Sequence, residues 1–379
     1  MSFAPSEEQE ELASTVRRLL DRRSDSAAVR GAVAEPPGYD TDLWRTLCDQ
    51  VGVAALAVPE EYGGAGFSLC ETHVVLEQLG AALTPGPLLG SAVLAAQALL
   101  LSGDTRACER LLPGIAEGTS VAALAWAGED SRWRTDRCGV RAARESGGWA
   151  LCGTATLVLD GADADVLLAV AETGTEGLGL FEVDPADARL RRTGTPAMDT
   201  TLRLARIDFD GVPALPLLLD AGPALETLHD IAAVAITALQ VGAARRGMDM
   251  TVAHCKERVQ FGRPLGSFQA LKHRMADMLV QVETAQAVSW AAAVSAAERQ
   301  PDLPRRAALA KAWCSEALNH VAAEAVQLHG GIAVTWEHDA QMIFKRAHST
   351  SQLFGQSHEH RQRLFRLLEP ASAAAPVAS

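Results

Sequence analysis

From Ile231 to Gln260 the chain runs for roughly 30 residues without a proline, which as one α-helix would extend about 45 Å. Gly242 and the many alanines along that run permit neighbouring helices to approach closely. Helical periodicity holds in long segments from Ala224 to about Leu368.

The segments before it follow a different grammar. Up to about residue 115 the pattern is helical. Ser6 can cap a first helix whose early acids meet the positive dipole end, with Leu12, Val16, Leu19 and Leu20 as one apolar stripe. Leu43 to Val53, Glu71 to Leu79 and Leu88 to Leu101 continue the helical pattern, and Val58 to Gly66 reads as a Gly-rich loop. Between about Ser120 and Pro216 short apolar runs bounded by Gly, Asp and Pro read as strands: Ala150 to Gly153, Thr156 to Leu159, Val166 to Val170, Gly179 to Val183 and Leu202 to Phe209. No Gly-x-Gly-x-x-Gly follows a strand, so a Rossmann unit is not expected. The division is 1–118 helical, 119–222 β, 223–370 helical bundle, and a disordered small-residue tail over 371–379.

Composition narrows the partners. With 34 Lys and Arg against 47 Asp and Glu, the net charge is −13, which argues against nucleic acid, since phosphate backbones need a basic surface. No uninterrupted apolar run is long enough to span a bilayer. The N-terminus is acidic and lacks the basic-then-apolar start of a secretory signal. Seven cysteines show no metal-type pair spacing and no dense framework, and a reduced cytoplasmic protein is the simplest reading.

Two blocks carry chemistry. The first is Arg258-Val-Gln260-Phe261-Gly262, followed by Gln269 and Lys272-His273-Arg-Met-Ala-Asp277-Met; the second is Gln327-Leu-His329-Gly330-Gly331, running into Thr335-Trp-Glu337. An isolated Arg258 would most simply be a helix-end surface residue, and an isolated Gly330-Gly331 a helix C-cap. In this order and separation, on a helical C-terminal half, they resemble the acyl-CoA dehydrogenase family of flavoproteins. Softer matches at Val58 to Gly66, Leu76 to Gly80 and Gly161 to Asp165 extend the resemblance over nearly the whole chain.

The resemblance implies an α+β multidomain fold: an N-terminal helical domain, a central β-barrel-like domain and a C-terminal four-helix bundle. It implies FAD, with Arg258, Gln260, Phe261 and Gln269 reaching the cofactor of a neighbouring subunit and Gln327, Gly330 and Gly331 serving its adenosine end. Arg258 suits the pyrophosphate because a guanidinium is permanently charged and presents a planar donor fork. His329 reads as a packed or hydrogen-bonded histidine rather than a catalyst. The substrate implied is an acyl-CoA or acyl-carrier thioester, and the assembly a homo- or hetero-oligomer, dimer or tetramer, with a related subunit.

The catalytic base departs from the family. The reaction removes a proton α to a thioester carbonyl while a hydride leaves the β carbon, so a carboxylate must stand beside the substrate. At the usual glutamate position, before a Gly in the loop after Lys345-Arg346-Ala347, this chain has Phe354; at the alternative position on the long helix it has Ala232. The catalytic residue is therefore left unassigned. Asp230 matches an Asp used near the coenzyme A portion of the substrate, and the Arg often found nearby is Ala233. On the flavin side, Trp126-Ala-Gly-Glu129 and Ala155 to Leu159 replace the usual Thr-Glu-Pro and Trp-Ile-Thr runs. Three readings follow: an acyl-CoA dehydrogenase with an unusual base, a catalytically silent partner subunit of a heteromeric one, or the same fold recruited to other chemistry in secondary metabolism.

Overall fold

The computed structural model describes residues 4–145, 147–174 and 177–368. The tail expected to be disordered, 371–379, lies outside the described residues. Six helices come first: α1 (Glu7–Arg23), α2 (Ser26–Ala34), α3 (Thr41–Val51), α4 (Leu69–Ala82), α5 (Ala96–Ser102) and α6 (Thr105–Ala116). α1 opens with a capping box, in which Ser6 Oγ accepts from the Gln9 amide and Gln9 Oε1 accepts from the Ser6 amide. Val16 and Leu20 of the expected stripe are buried. Ahead of α5 the chain winds as a fully buried π-helical stretch, Leu88–Ala95.

Seven strands follow: β1 (Ala122–Ala125), β2 (Val140–Glu145), β3 (Gly148–Leu159), β4 (Val166–Glu172), β5 (Leu178–Val183), β6 (Leu190–Gly194) and β7 (Leu204–Leu218). Their pairing is antiparallel except where β4 runs parallel to β1 and touches β2. Going round, β4 pairs with β2, β2 with β3, β3 with β7, β7 with β5, and β5 again with β4, so the sheet closes into a barrel-like ring. Leu151, Leu167, Phe181, Ile207 and Val212 fill its interior. No helix connects any two of these strands among the described residues, in keeping with the absence of a Rossmann unit.

The chain ends in α7 (Gly222–Glu257), a hairpin of β8 (Val259–Gln260) and β9 (Arg263–Pro264), then α8 (Gln269–Ala297), α9 (Leu303–His329), α10 (Asp339–Gln352) and α11 (Ser357–Leu368). α7 starts well before Ile231 because Pro223 stands in its first turn, where a missing N–H costs nothing. It crosses α4 at a reciprocal glycine contact. A Cβ on Gly242 would stand 1.9 Å from the Glu77 carbonyl oxygen, and one on Gly80 would stand 2.4 Å from that of Leu239. By length and composition α7 is apolar enough to cross a membrane, against the sequence expectation, but 89% of its most apolar window is buried by the helices around it. The bundle is tied to the barrel by a buried ion pair. Arg346 of α10 donates from Nε to Asp199, ahead of β7, at 2.6 Å, and also reaches Thr201.

Candidate functional site

The two motif blocks meet at one end of the bundle. α7 ends at Arg258, where the backbone turns extended. Phe261 and Gly262, both at positive φ (51° and 78°), form the two-residue turn between β8 and β9, and the Leu265 amide bonds back to the Arg258 carbonyl at 2.8 Å. The turn thrusts Phe261 outward until it is 92% exposed, an unfavourable place for an aromatic ring unless something covers it. Arg258, Gln260 and Gln269, the first residue of α8, are exposed beside it, and no carboxylate pairs with Arg258 among the described residues.

The second block closes α9. Gln327 is exposed, His329 is the last helical residue, and Gly330 turns away at φ 67°. Space is open around Gly330 and Gly331, where no atom lies within 4 Å of an added Cβ. The blocks are joined through imidazoles: His254, one turn before Arg258, lies 4.4 Å from His329 between ring centroids, and His338 lies 4.7 Å beyond. All seven residues expected to touch a cofactor thus lie on exposed surface at the joined ends of α7, α8 and α9. An unpaired guanidinium offers a dinucleotide pyrophosphate a charge-assisted donor fork, and the open glycine backbone at the end of α9 leaves room for a ligand.

The positions of the missing base present the opposite picture. Phe354 and Ala232 are both 0% exposed, within one apolar cluster that includes Leu88, Leu159 and Leu239. The Trp133 ring lies 4.9 Å from that of Phe354 and fills the ground beside it. Phe354 sits at φ 57°, a costly conformation for a residue with a Cβ, and its loop is held from two sides. His360 Nε2 donates to the Phe354 carbonyl at 2.8 Å. Lys311, fully buried on α9, donates to the Gly355 carbonyl at 2.9 Å, to that of Ser351 at 3.3 Å and to Ser315 Oγ at 3.1 Å. Burial lowers the Lys311 pKa to about 7.

Asp230, the nearest acid, is 1% exposed and bonded through both oxygens to Arg363 of α11, with Nη2 to Oδ2 at 3.0 Å. Burial pushes its carboxyl up against the pull of that guanidinium. His229 stacks on His360 with centroids 5.8 Å apart, and burial takes the two rings down to about 3 and about 4, so both are uncharged at neutral pH.

The two flavin-side runs are adjacent, but their polar groups serve each other. The Thr156 amide donates to the Ala127 carbonyl at 2.8 Å, Thr156 Oγ1 to that of Gly128 at 2.6 Å, and Trp126 Nε1 to that of Arg134 at 2.7 Å. The residues here therefore do not fit an isoalloxazine ring. Trp133, Lys311, His360 and Arg363 escaped the sequence reading. Only Lys311 left a signal, as a lone cation on the apolar stripe of α9 between Ala307 and Cys314.

Helical domain, closed barrel and helical bundle, with cofactor-type residues on the bundle's end, define a flavoprotein of the acyl-CoA dehydrogenase class. Family models for the N-terminal and C-terminal domains of acyl-CoA dehydrogenase match residues 6–119 and 224–368, and the chain belongs to that FAD-dependent family. Among its relatives, acyl-CoA dehydrogenase IpdE2 of Mycolicibacterium smegmatis is 43% identical over 361 residues, covering 95% of this chain and 98% of that one. IpdE2 of Mycobacterium tuberculosis is 41% identical, over 96% and 98%. Among solved structures, a variant of the Tcur3481-Tcur3483 steroid ACAD superposes with a TM-score of 0.86 at 32% identity, covering 95% and 97% of the two chains. The ChsE4-ChsE5 complex from Mycobacterium tuberculosis gives 0.88 at 30% identity, over 98% and 100%.

Proposed function

We propose that this chain is the completing subunit of a heteromeric acyl-CoA dehydrogenase: it lends flavin contacts to a related subunit that carries the catalytic carboxylate. The observation that carries the reading is the occupancy of both base positions by buried Phe354 and Ala232, with Trp133 packed against the former. Neither residue can accept a proton, and Asp230 is held by Arg363. The lending residues Arg258, Gln260, Phe261, Gln269, Gln327, Gly330 and Gly331 face outward, in place to serve a cofactor held by a neighbouring chain. Two structural neighbours whose names pair two different chains, Tcur3481-Tcur3483 and ChsE4-ChsE5, support a heteromeric assembly.

In this assignment FAD supplies the hydride acceptor for α,β-dehydrogenation of an acyl-CoA or acyl-carrier thioester. Arg258 would hold the FAD pyrophosphate through charge-assisted hydrogen bonds, and Phe261, Gly330 and Gly331 would lie against it. Asp230, which the resemblance sets near the thioester's carrier portion, is held by Arg363. The seven free thiols fit a reducing, cytoplasmic setting.

The test is a complex of this chain with a related subunit bearing Glu at the position that matches Phe354. Arg258→Ala in this chain alone should weaken flavin retention by the pair by about 2–4 kcal/mol, the scale of a desolvated charge pair losing one partner. Unchanged flavin content after gel filtration would refute the shared site.

A further inference from the structure

We propose that His329 is a cofactor-positioning residue of the shared site, its Nε2 accepting a hydrogen bond from an amine or hydroxyl of the bound dinucleotide. The inference rests on the shared-flavin reading above.

His329 is only 7% exposed. Its Nδ1 lies 2.7 Å from the Ala325 carbonyl oxygen, which can only accept, so Nδ1 carries the proton. Burial, helped by the adjacent His254 and His338 rings, holds its pKa below the usual imidazole value despite that carbonyl. The ring is therefore neutral near pH 7, and Nε2 presents a lone pair.

That lone pair is buried and has no hydrogen-bond partner among the described residues. The neighbouring rings do not supply one. His254 meets His329 nearly face to face, tilted by 30°, and His338 meets it at 59° while its own Nδ1 accepts from the Ala340 amide at 3.1 Å. An unmet buried acceptor is a standing cost in the isolated chain, and a donor brought by a bound ligand would remove it.

Place and chemistry select the donor. His329 stands between Gln327 and Gly330, and through His254 it touches the helix end that carries Arg258. A pyrophosphate has acceptor oxygens only and cannot satisfy Nε2. Groups flanking it can, on either side: the ribityl hydroxyls, or the hydroxyls and amine of the adenosine half. Arg258 and His329 would then read adjacent parts of one ligand with opposite demands, one donating and the other accepting.

The experiment uses the assembled pair stripped of flavin, with FAD binding followed by flavin fluorescence. His329→Phe keeps a ring between His254 and His338 but has no acceptor, and should weaken FAD binding about tenfold, a factor reasonable for one buried hydrogen bond. His329→Gln restores an acceptor near the Nε2 position and should recover most of the loss, which a purely structural role for the ring would not allow. FMN, which lacks the adenosine half, locates the donor: a penalty that vanishes with FMN puts it on adenosine, and one that persists puts it on the ribityl chain. FAD binding by His329→Phe equal to wild type, while Arg258→Ala still loses flavin, overturns the role of His329 and leaves the shared site standing. If neither variant changes binding, the shared site itself falls. A His329→Phe variant that weakens association of the flavin-free subunits also overturns the proposal, because the donor then belongs to the partner chain.

Discussion

A carboxylate at position 354 would lie against the Trp133 indole in an apolar cluster, while nearby Lys311 already donates to the Ser351 and Gly355 carbonyls and to Ser315 Oγ. Desolvation would keep such an acid protonated, so restoring the family's glutamate at this one position does not restore a base. The wild-type ring instead contributes packing. Phe354→Ala should cost about 3–5 kcal/mol of unfolding free energy, the range for an emptied aromatic site in a core. Urea denaturation measures it, and a loss below about 1 kcal/mol would mean that Trp133 collapses into the space. Asp230 shows the limit of single-residue reading. Its position matched a substrate-side acid, and nothing near it in sequence announced Arg363, which arrives from α11 across 133 positions.

At the scale of elements, the loop after α10 and the ends of α9 and α11 form one clamp. His360 and His229 sit in it uncharged, with pKa values near 4 and 3, against an ordinary value of about 6.5 in an unfolded chain. Between those limits the unfolded chain binds more protons than the folded one. The stability concerned is fully present above about pH 6.5 and is lost as the pH falls toward 4. His360→Gln keeps a donor for the Phe354 carbonyl and removes one titrating group. Melting temperatures measured between pH 7 and 5 should fall less steeply for this variant than for wild type, and parallel curves would show that His360 does not titrate as the structure requires.

Elements with strong local signals were legible in the sequence: the Ser6 cap, the stripe through Val16 and Leu20, the proline-free run that became α7, and the strand at Val166 to Val170. α2 and α6 were not singled out within the stretch read as helical, and β1, β2 and β6 were missed. β6 offers only half-buried and exposed residues with no apolar alternation, and α6 carries Pro113 near its end, which reads as a break. The motif blocks of the candidate site could be read because their residues are consecutive. The plug could not, because Trp133, Phe354, Lys311 and His360 come together only through tertiary packing.

The whole molecule has two unequal faces. The ground around Phe354 and Ala232 is filled with apolar side chains, while the end of the bundle leaves Phe261, Ile332, Val334 and Trp336 exposed around Arg258 and Gly330. An apolar patch of that kind, rimmed by polar groups, marks an interface. The protein should be at least a dimer at micromolar concentration, either with itself or with its related subunit, and a monomeric mass by light scattering would remove the basis for a shared flavin.

On the proposed function, this chain contributes to a flavin site without supplying the base. The most direct measurement is flavin bleaching on adding a saturated acyl-CoA thioester, first to this chain alone with FAD supplied, then to its complex with a Glu-bearing subunit. Loss of a general base costs about 10²–10⁴ in rate, so the isolated chain should show little or no bleaching while the complex bleaches readily. Rapid bleaching by the chain alone would show that it carries a base of its own.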